Sequence, residues 1–310
     1  MNLNTETIHR LLSLGRFQFL IGGFLLYNVG ALLALVGGDG FSAFHYLFGY
    51  VIMLPAHLSL SYSNNYFDVE VDRHNTPSFI AGGSKILIEH PELRKITLSI
   101  SLALIAFSLL LAAVFIVIVK ESWLLFIFVL AGNLLGLFYT APPLKLSYRG
   151  FGEIVNVVSI GLLMPGMGYW MMSGGLDLFF LVFAAPMFLY GLKFIILVEI
   201  PDMEGDQIGG KNTLIAKKGR SFGFSVVVVS LALASLYYIA ISLLGLYHDR
   251  LDYRIVSLIS LIPLFAAIHG WMGRPFTKTT GSKTAARTIY SLYALIILIL
   301  VYFLVLIVVL

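Results

Sequence analysis

The sequence contains no cysteine and few charged residues for its length of 310. Without cysteine the chain cannot form a disulfide, a zinc–thiolate site, an iron–sulfur cluster or a cysteine nucleophile. Charged residues make up 12% and apolar residues 59% of the chain, whereas soluble domains carry about 25% charged residues. So few charges cannot cover a folded surface in water, which argues against a soluble globular protein.

Long apolar runs take the place of the missing charge. A helix needs about 20 mainly apolar residues to cross the hydrocarbon core of a bilayer. Lipid offers the backbone no hydrogen-bond partners, and the runs lack the alternation of barrel strands, so we expect helices. The sequence therefore predicts an all-α membrane protein, a single domain over residues 1–310. Nine spans are predicted, at about 17–36, 44–64, 97–119, 123–139, 154–173, 178–200, 222–246, 254–272 and 289–310.

The distribution of Lys and Arg predicts the orientation in the membrane. With nine spans, 16 of the 20 Lys and Arg residues fall on the side of the N-terminus and of the loops after spans 2, 4, 6 and 8. Only Lys120, Arg250 and Arg254 fall on the other side, and Lys193 lies within a span. Because cytoplasmic loops carry the excess of positive residues, we expect the N-terminus and the four long loops to be cytoplasmic.

Two groups of oxygen-bearing side chains stand at the ends of predicted spans 2 and 6. They are Asn64, Asp68, Asp72, Glu199, Asp202 and Asp206. If the spans continue as helices, the spacings i, i+4, i+8 and i, i+3, i+7 put each group on one face. Four crossings separate the two spans, so both groups fall on the same membrane side. Their equivalent places predict two four-helix repeats plus one further helix.

Acidic side chains clustered at a bilayer edge need compensating cations, because like charges repel and burial disfavours them. Carboxylate and amide oxygens are hard ligands that suit Mg²⁺, an ion that usually takes one or two carboxylates, waters and phosphate oxygens. Two facing groups therefore predict a receptor for a magnesium–diphosphate unit. The alternative is that they are solvated helix ends, which a pattern occurring twice disfavours.

Four segments resemble motifs of the UbiA superfamily of intramembrane prenyltransferases. NNYFDVEVD at 64–72 resembles its N-D-x-x-D-x-x-x-D motif, and EIPDMEGD at 199–206 resembles its D-x-x-D-x-x-x-D motif. YTAPPLKLSYRGFGE at 139–153 is similar to its Y-x-A-P-P-L-(K/R) segment, and GKNTL at 210–214 resembles the menaquinone-type branch. The resemblance covers nearly the whole chain and implies one helical bundle with a central cavity capped by cytoplasmic loops. Asn65 and Glu199 depart from the motifs.

The resemblance implies Mg²⁺-dependent transfer of a polyprenyl group from its allylic diphosphate to a hydrophobic aromatic acceptor, such as a quinone precursor. It implies metal ligation by Asn64, Asp68, Asp72, Glu199, Asp202 and Asp206, with Asp68, Asp72, Asp202, Asp206 and Tyr139 as the catalytic residues. Lys145 is the first candidate for a diphosphate contact. The further candidates are Arg73, Lys85, Arg149 and Lys211, although loop cations can also bind lipid headgroups.

Three further polar residues lie in or beside predicted spans. Lys193 is a candidate diphosphate contact or counter-ion, with snorkelling to the interface as the alternative. Asn28 either lines the acceptor pocket or joins two helices. Arg16 either contributes to the acceptor pocket or anchors the first span at the interface.

Two other functions compete with the leading one. D-M-E-G-D also resembles the archaeal lipid branch, which transfers geranylgeranyl groups to a glycerophosphate lipid. A secondary transporter would share the duplicated halves, but its substrate site would lie near the bilayer midplane. The stretch 205–213 mimics a P-loop without the preceding strand or the Ser/Thr directly after Lys. We therefore expect membrane lipids as partners, but no nucleotide and no nucleic acid.

Overall fold

The computed structural model describes residues 4–75, 83–274 and 276–309, and within these ranges the regular structure is entirely helical. This confirms the all-α prediction. The α-helices are α1 (Thr5–Leu14), α2 (Gln18–Val36), α3 (Ala43–Phe67), α4 (Val69–Asp72), α5 (Ile86–Glu89), α6 (Arg94–Val119), α7 (Trp123–Phe138), α8 (Gly152–Val158), α9 (Met164–Ser173), α10 (Leu178–Ile208), α11 (Leu214–Lys218), α12 (Arg220–Leu243), α13 (Tyr253–Met272) and α14 (Lys278–Val309).

Among the described residues, eight helical segments are long and apolar enough to cross a membrane. They match all the predicted spans except the fourth. That span corresponds to α7, which has 16 residues and is therefore about 24 Å long, short of the roughly 30 Å hydrocarbon core. The length of α7 does not by itself establish a ninth crossing.

Several helices begin or end at positions that differ from those predicted by the apolar runs. Helix α10 continues through polar residues to Ile208, and α14 begins at Lys278, well before the run starts. Backbone hydrogen bonds extend a helix past the hydrocarbon, whereas hydropathy only detects the part inside it. The first motif behaves differently: α3 ends at Phe67, and Asp68 (φ −95°, ψ 10°) separates it from α4. The condition of a continuous helix is therefore met at the second motif and not at the first.

The fifth span, Gly152–Ser173, is not a uniform α-helix. Between α8 and α9 the backbone forms one π-helical stretch at Ser159–Leu163. Such stretches occur mostly as single turns inside α-helices and frequently lie at functional sites. Ser159 lines two of the cavities described below.

Glycines allow α2 and α9 to pack with their backbones in contact. A Cβ atom at Gly30 would lie 1.7 Å from the Pro165 carbonyl oxygen, and one at Gly168 would lie 1.9 Å from that of Tyr27. Membrane helices have little hydrophobic drive to associate, so close backbone approach at small residues provides much of their packing energy.

The outer surface of the bundle is apolar. Val117, Leu243 and Val308 expose 69%, 83% and 84% of their surface, although they lie on different helices. Exposed apolar side chains spread over several helices mark a surface that contacts lipid rather than water. The architecture is that of an integral membrane protein.

Three connections meet at one end of the bundle. The Tyr148 hydroxyl, which follows α7, donates to Asp68 Oδ1 at the end of α3. Lys211, which follows α10, donates to Asp68 Oδ2, and Asn212 Nδ2 donates to the Tyr148 carbonyl oxygen. The N-terminal helix α1 covers the same end, where Leu11 and Leu14 pack among buried apolar residues of α3 to α6. The ends of spans 2, 4 and 6 thus share one side of the structure, as predicted.

Candidate active site

A polar cavity of about 130 Å³ lies where these connections meet. Both acidic motifs line it, together with a small number of neutral and cationic side chains. Its polar lining residues are Arg16, Asn64, Asn65, Asp68, Asp72, Asn75, Tyr139, Glu199, Asp202, Asp206, Lys211 and Thr213. All six side chains that the sequence singles out as metal ligands therefore line one cavity.

Asp68 is a buried carboxylate that two side chains of the site contact. It is 5% exposed, and it accepts 2.7 Å hydrogen bonds from the Tyr148 hydroxyl and from Lys211 Nζ. Burial alone would lower the pKa of Lys211, but the negative charges of Asp68 and Asp206 outweigh it and hold the pKa well above its usual value. Lys211 is therefore an ammonium ion that compensates part of the negative charge of the cavity.

The carboxyl group of Asp72 lies against the backbone at Gly83. A Cβ at Gly83 would lie 1.7 Å from Asp72 Cγ, so only glycine allows this approach. Burial, followed by the charge of Asp68, raises the pKa of Asp72 to about 7, while Lys211 and Arg16 oppose the shift. The carboxyl group changes its protonation state close to neutral pH.

The second motif presents its carboxylates from α10. Glu199 is 5% exposed, and neither of its side-chain oxygens has a hydrogen-bond partner among the described residues. Asp206 is equally buried and forms a side-chain hydrogen bond with Asn75, which also packs against the backbone at Gly205. Buried carboxylate oxygens without partners are costly unless a cation binds them.

The polar cavity continues into two apolar ones. The second cavity, about 220 Å³, shares Tyr139, Asn64 and Arg16 with the first. The third, about 90 Å³, shares His57, Gly136 and others with the second and reaches Ile52 on α3. The three spaces follow one face of α3 from its carboxylate end into the bundle. Tyr139 stands between the polar and the apolar part.

The family profile described as the UbiA prenyltransferase family matches residues 24–292 of the chain. The chain belongs to the UbiA prenyltransferase family. It is therefore an integral membrane prenyltransferase, and the transporter interpretation is wrong.

Individual relatives of the family support this assignment. The 1,4-dihydroxy-2-naphthoate octaprenyltransferase of Bacillus subtilis (strain 168) is 22% identical over 227 residues, which cover 73% of this chain and 71% of the relative. A solved structure of a UbiA homologue from Archaeoglobus fulgidus bound to GPP and Mg²⁺ has a TM-score of 0.65 at 16% identity, covering 92% of this chain and 99% of its own.

A second structural neighbour has a different name. The structure of a digeranylgeranylglyceryl phosphate synthase has a TM-score of 0.63 at 19% identity and covers 96% of this chain and 98% of its own. At these identities the structural likeness shows the shared UbiA fold.

The oxygen donors of this UbiA protein fit a divalent cation. No three Asp, Glu or His side chains within 4–75, 83–274 and 276–309 come close enough to enclose an ion by themselves. Magnesium does not require such a cage, because it keeps waters and takes substrate phosphate oxygens beside one or two carboxylates. The unpartnered oxygens of Glu199 supply donors of the appropriate kind.

The predicted diphosphate-binding cations are distributed unevenly around the site. Lys211 lines the polar cavity, whereas Lys145 lies outside it with its ammonium 5.3 Å from the ring centroid of Tyr148. The remaining loop cations bind other protein groups: Arg73 pairs with Glu70, Lys85 Nζ donates to the carbonyl oxygens of Asp72 and Arg73, and Arg149 donates to that of Pro143.

The three polar residues of the spans have different positions. Lys193 is fully buried and donates to Ser291 Oγ on α14 at 2.8 Å, so it neither lines a described cavity nor snorkels. Asn28 accepts a hydrogen bond from the Tyr46 hydroxyl and thereby joins α2 to α3. Of these three residues, Arg16 is the one that lines both the polar cavity and the second cavity, and its guanidinium lies over the ring of Phe19.

Three residues that bond around the site were not predicted from the sequence, nor were the cavity-lining residues Asn75 and Thr213. Tyr148 binds Asp68, Thr140 Oγ1 donates to Asn64 Oδ1 at 3.0 Å, and Glu153 accepts from the backbone N–H of Leu214. All three lie within the 139–153 segment that resembles a family motif. The resemblance of this segment to the family motif is the signal that could have indicated them, although it points first to Tyr139, Lys145 and Arg149.

Proposed function

We propose that this UbiA protein transfers a polyprenyl group from its allylic diphosphate to an aromatic acceptor inside the membrane. In this reaction the bond between prenyl C1 and the diphosphate oxygen breaks. A bond forms between C1 and a ring carbon, the ring proton is lost, and diphosphate is released. The observation that carries the proposal is the joining of one polar cavity, lined by both acidic motifs, to apolar cavities inside the bundle.

Mg²⁺ is the proposed cofactor, held by Asn64, Asp68, Asp72, Glu199, Asp202 and Asp206. When bound, it neutralises charge on the diphosphate and so makes it a better leaving group. The structure of the Archaeoglobus fulgidus homologue bound to GPP and Mg²⁺ supports this choice of ion.

The cations of the cavity bind the anionic head of the substrate. Lys211 already compensates Asp68, and Arg16 stands at the border of the apolar cavity. Each can place positive charge where the leaving diphosphate develops negative charge, and such preorganised charge stabilises the transition state. We propose that Lys145 contacts the diphosphate from outside the polar cavity. Arg73, Lys85, Arg149 and Lys193 are proposed to contribute indirectly, by holding the protein groups that they bind.

The apolar cavities suit the isoprenoid chain. Burying a CH₂ group contributes about 0.8 kcal/mol, so the chain favours these cavities or lipid over water. Tyr139 lines both the polar and the second cavity, so a substrate with its diphosphate in the first and its chain in the second would pass this residue. Burial, and then the charge of Glu199, raise the pKa of Tyr139 above its usual value. It therefore presents a neutral aromatic ring, whose face can stabilise an allylic cation.

A quinone-type aromatic acceptor is favoured by the naphthoate prenyltransferase relative. The alternative is a glycerophosphate lipid, which the digeranylgeranylglyceryl phosphate synthase neighbour supports. The lining of the second cavity favours the aromatic acceptor, since it is mainly apolar and Arg16 is its only Lys or Arg among the described residues.

The membrane arrangement completes the proposal. We place the N-terminus and the site-bearing loops on the cytoplasmic side of a cell membrane. We also propose that α7 is a ninth span and that residues 1–310 form one domain containing two four-helix repeats plus one further helix. Corresponding helix pairs pack in both halves, α3 with α6 and α10 with α12.

Diphosphate release in detergent tests the function. Purified protein is incubated with Mg²⁺, labelled prenyl diphosphates of several lengths, and either dihydroxynaphthoate or a glycerophosphate lipid. We expect metal-dependent diphosphate release with a prenylated naphthoate as the product. Product from the lipid alone would establish the alternative, and no release under any condition would refute prenyl transfer by this chain.

A further inference from the structure

Asn65 occupies the position at which the first family motif usually has Asp. Its side chain lines the polar cavity and is 4% exposed. Both the nitrogen and the oxygen of its side-chain amide nevertheless form hydrogen bonds with protein groups. Nδ2 donates to the Leu14 carbonyl oxygen at 3.1 Å and to that of Ser61 at 2.8 Å, and Oδ1 accepts from the Ser84 backbone N–H at 3.3 Å. Three separate parts of the chain therefore meet at this one amide.

Two of the bonded segments carry parts of the site. Leu14 ends α1 and stands two residues before Arg16, whose backbone has the unusual φ of 47° and whose side chain lines both cavities. Ser84 follows Gly83, whose backbone packs against the Asp72 carboxylate. The bonds from Asn65 thus fix the segments that place Arg16 and enclose Asp72.

We propose that Asn65 is a positioning residue, which holds the Leu14–Arg16 segment and the Gly83–Ser84 segment in place around Asp72, and is not a metal ligand. The proposal rests on the proposed function only for its kinetic consequence. It explains why this chain has an amide at the position. The Leu14 and Ser61 groups are both carbonyl acceptors, so the side chain at 65 must donate to them.

An aspartate at position 65 would reverse this chemistry without changing the shape of the side chain. An ionised carboxylate has no donor, so its oxygen would face two carbonyl oxygens in a buried site. A metal ligand has the opposite requirement, because a carboxylate binds Mg²⁺ at least as well as an amide does. Asn65→Asp therefore distinguishes the two roles: it should impair the enzyme if Asn65 positions the two segments, and it should not if Asn65 is a metal ligand. Asn65→Ala shows the effect of losing the hydrogen bonds without adding a charge.

The kinetic test compares Asn65→Asp and Asn65→Ala with the wild type, using Asn133→Asp as the matched control. Asn133 is another buried amide, which lies outside the polar cavity and donates to Ser108 Oγ and to the Val129 carbonyl oxygen. Both Asn65 variants should raise KM for prenyl diphosphate by about tenfold, the size expected for one or two lost hydrogen bonds. Their kcat should change less, and Asn133→Asp should leave KM unchanged.

Hydrogen exchange gives a readout that does not depend on activity. Amides in 12–18 and 83–88 should exchange faster in both Asn65 variants and at the wild-type rate in Asn133→Asp. Wild-type KM and Mg²⁺ dependence in Asn65→Asp, unchanged exchange in both segments, or the same KM shift in Asn133→Asp would each overturn the proposal. If the wild type releases no diphosphate, the proposed function fails, while the exchange measurement still decides the structural role of Asn65.

Discussion

Lys211 Nζ lies 2.7 Å from Asp68 Oδ2, although the two residues are 143 positions apart in the chain. The pair joins the end of α3 to the segment after α10. Both side chains are nearly buried, with exposures of 12% and 7%, so the solvent screens their attraction only weakly. The contact brings the two acidic motifs together and keeps a cation within the polar cavity.

Replacing Lys211 by Met should lower the rate of diphosphate release by at least about 100-fold. The substitution keeps most of the side-chain volume but leaves Asp68 without its cation and removes a positive charge from the leaving group. Lys218→Met, at the exposed end of α11, is the matched control and should retain activity. The measurement is the single-turnover rate with saturating Mg²⁺. Near-wild-type turnover in Lys211→Met would contradict this role.

Asp68→Asn and Asp202→Asn should each abolish prenyl transfer while the protein stays folded. Both changes preserve the shape of the side chain and remove the charge that a divalent ion requires. The control is Glu70→Gln, which removes an exposed carboxylate from α4 that pairs only with Arg73 among the described residues. Product formation and thermal unfolding in detergent are measured together. Full activity in either Asp variant would exclude it as a required ligand.

Mg²⁺ should stabilise the protein more at pH 8 than at pH 6. Burial, and then the charge of Asp68, raise the pKa of Asp72 to about 7, and Mg²⁺ binds only the ionised carboxylate. Without metal the trend reverses: the folded state holds this proton more tightly than the unfolded state, so the contribution of Asp72 to stability falls as the pH rises from about 4 to 7.

Thermal unfolding with and without Mg²⁺ measures both trends. In Asp72→Asn the part of each trend due to this residue should disappear, because an amide does not titrate. An Mg²⁺-induced shift in Tm that is equal at pH 6 and pH 8 in the wild type would argue against Asp72 as a titrating ligand.

Gly136→Phe should shorten the prenyl chain that the enzyme accepts. Gly136 lines both apolar cavities, and a Cβ there would lie 3.9 Å from Leu60 Cβ, so the space beyond is open. A phenyl ring would fill the passage between the cavities. We expect kcat/KM for long prenyl diphosphates to fall at least about tenfold, with little change for the shortest. Gly136→Ala should keep the wild-type length preference, and an unchanged preference in Gly136→Phe would place the chain elsewhere.

Gly168→Ala should destabilise the bundle by about 1–3 kcal/mol or more, the usual cost of overpacking. The added Cβ would lie 1.9 Å from the Tyr27 carbonyl oxygen and would force α2 and α9 apart. Gly175→Ala is the control, because a Cβ there meets nothing within 4 Å. Thermal unfolding in detergent should show a lower Tm for Gly168→Ala only. Equal Tm values would mean that the two helices can separate at little cost.

The sequence predicts a helix well where an apolar run covers most of its length. It misses the polar extension of α10 to Ile208, because hydropathy falls once the chain leaves the hydrocarbon while the backbone hydrogen bonds continue. It also misses the break at Asp68, because side-chain spacing does not determine where a helix is interrupted.

The candidate site shows the same division. The carboxylates of both motifs are predictable, since acidic residues at the ends of apolar spans are chemically conspicuous. Tyr148 is harder to predict, because it is one of 16 Tyr and 24 Phe residues and the motif that contains it gives a role to Tyr139 instead. Lys85 is conspicuous by charge, but the path of its loop turns it toward two backbone carbonyl oxygens, and no local pattern encodes that path.

The face of α3 that lines the three cavities changes steadily in polarity. It passes from Asp68 through Asn64 and His57 to Ile52, a distance of about 24 Å for 16 residues. A molecule with an anionic head and an apolar tail matches this change in polarity in one direction only. Entering tail-first toward Asp68 would desolvate the head among aliphatic groups and place hydrocarbon against carboxylates. Helix α3 thereby selects the direction in which such a molecule lies, independently of the contacts that recognise its head.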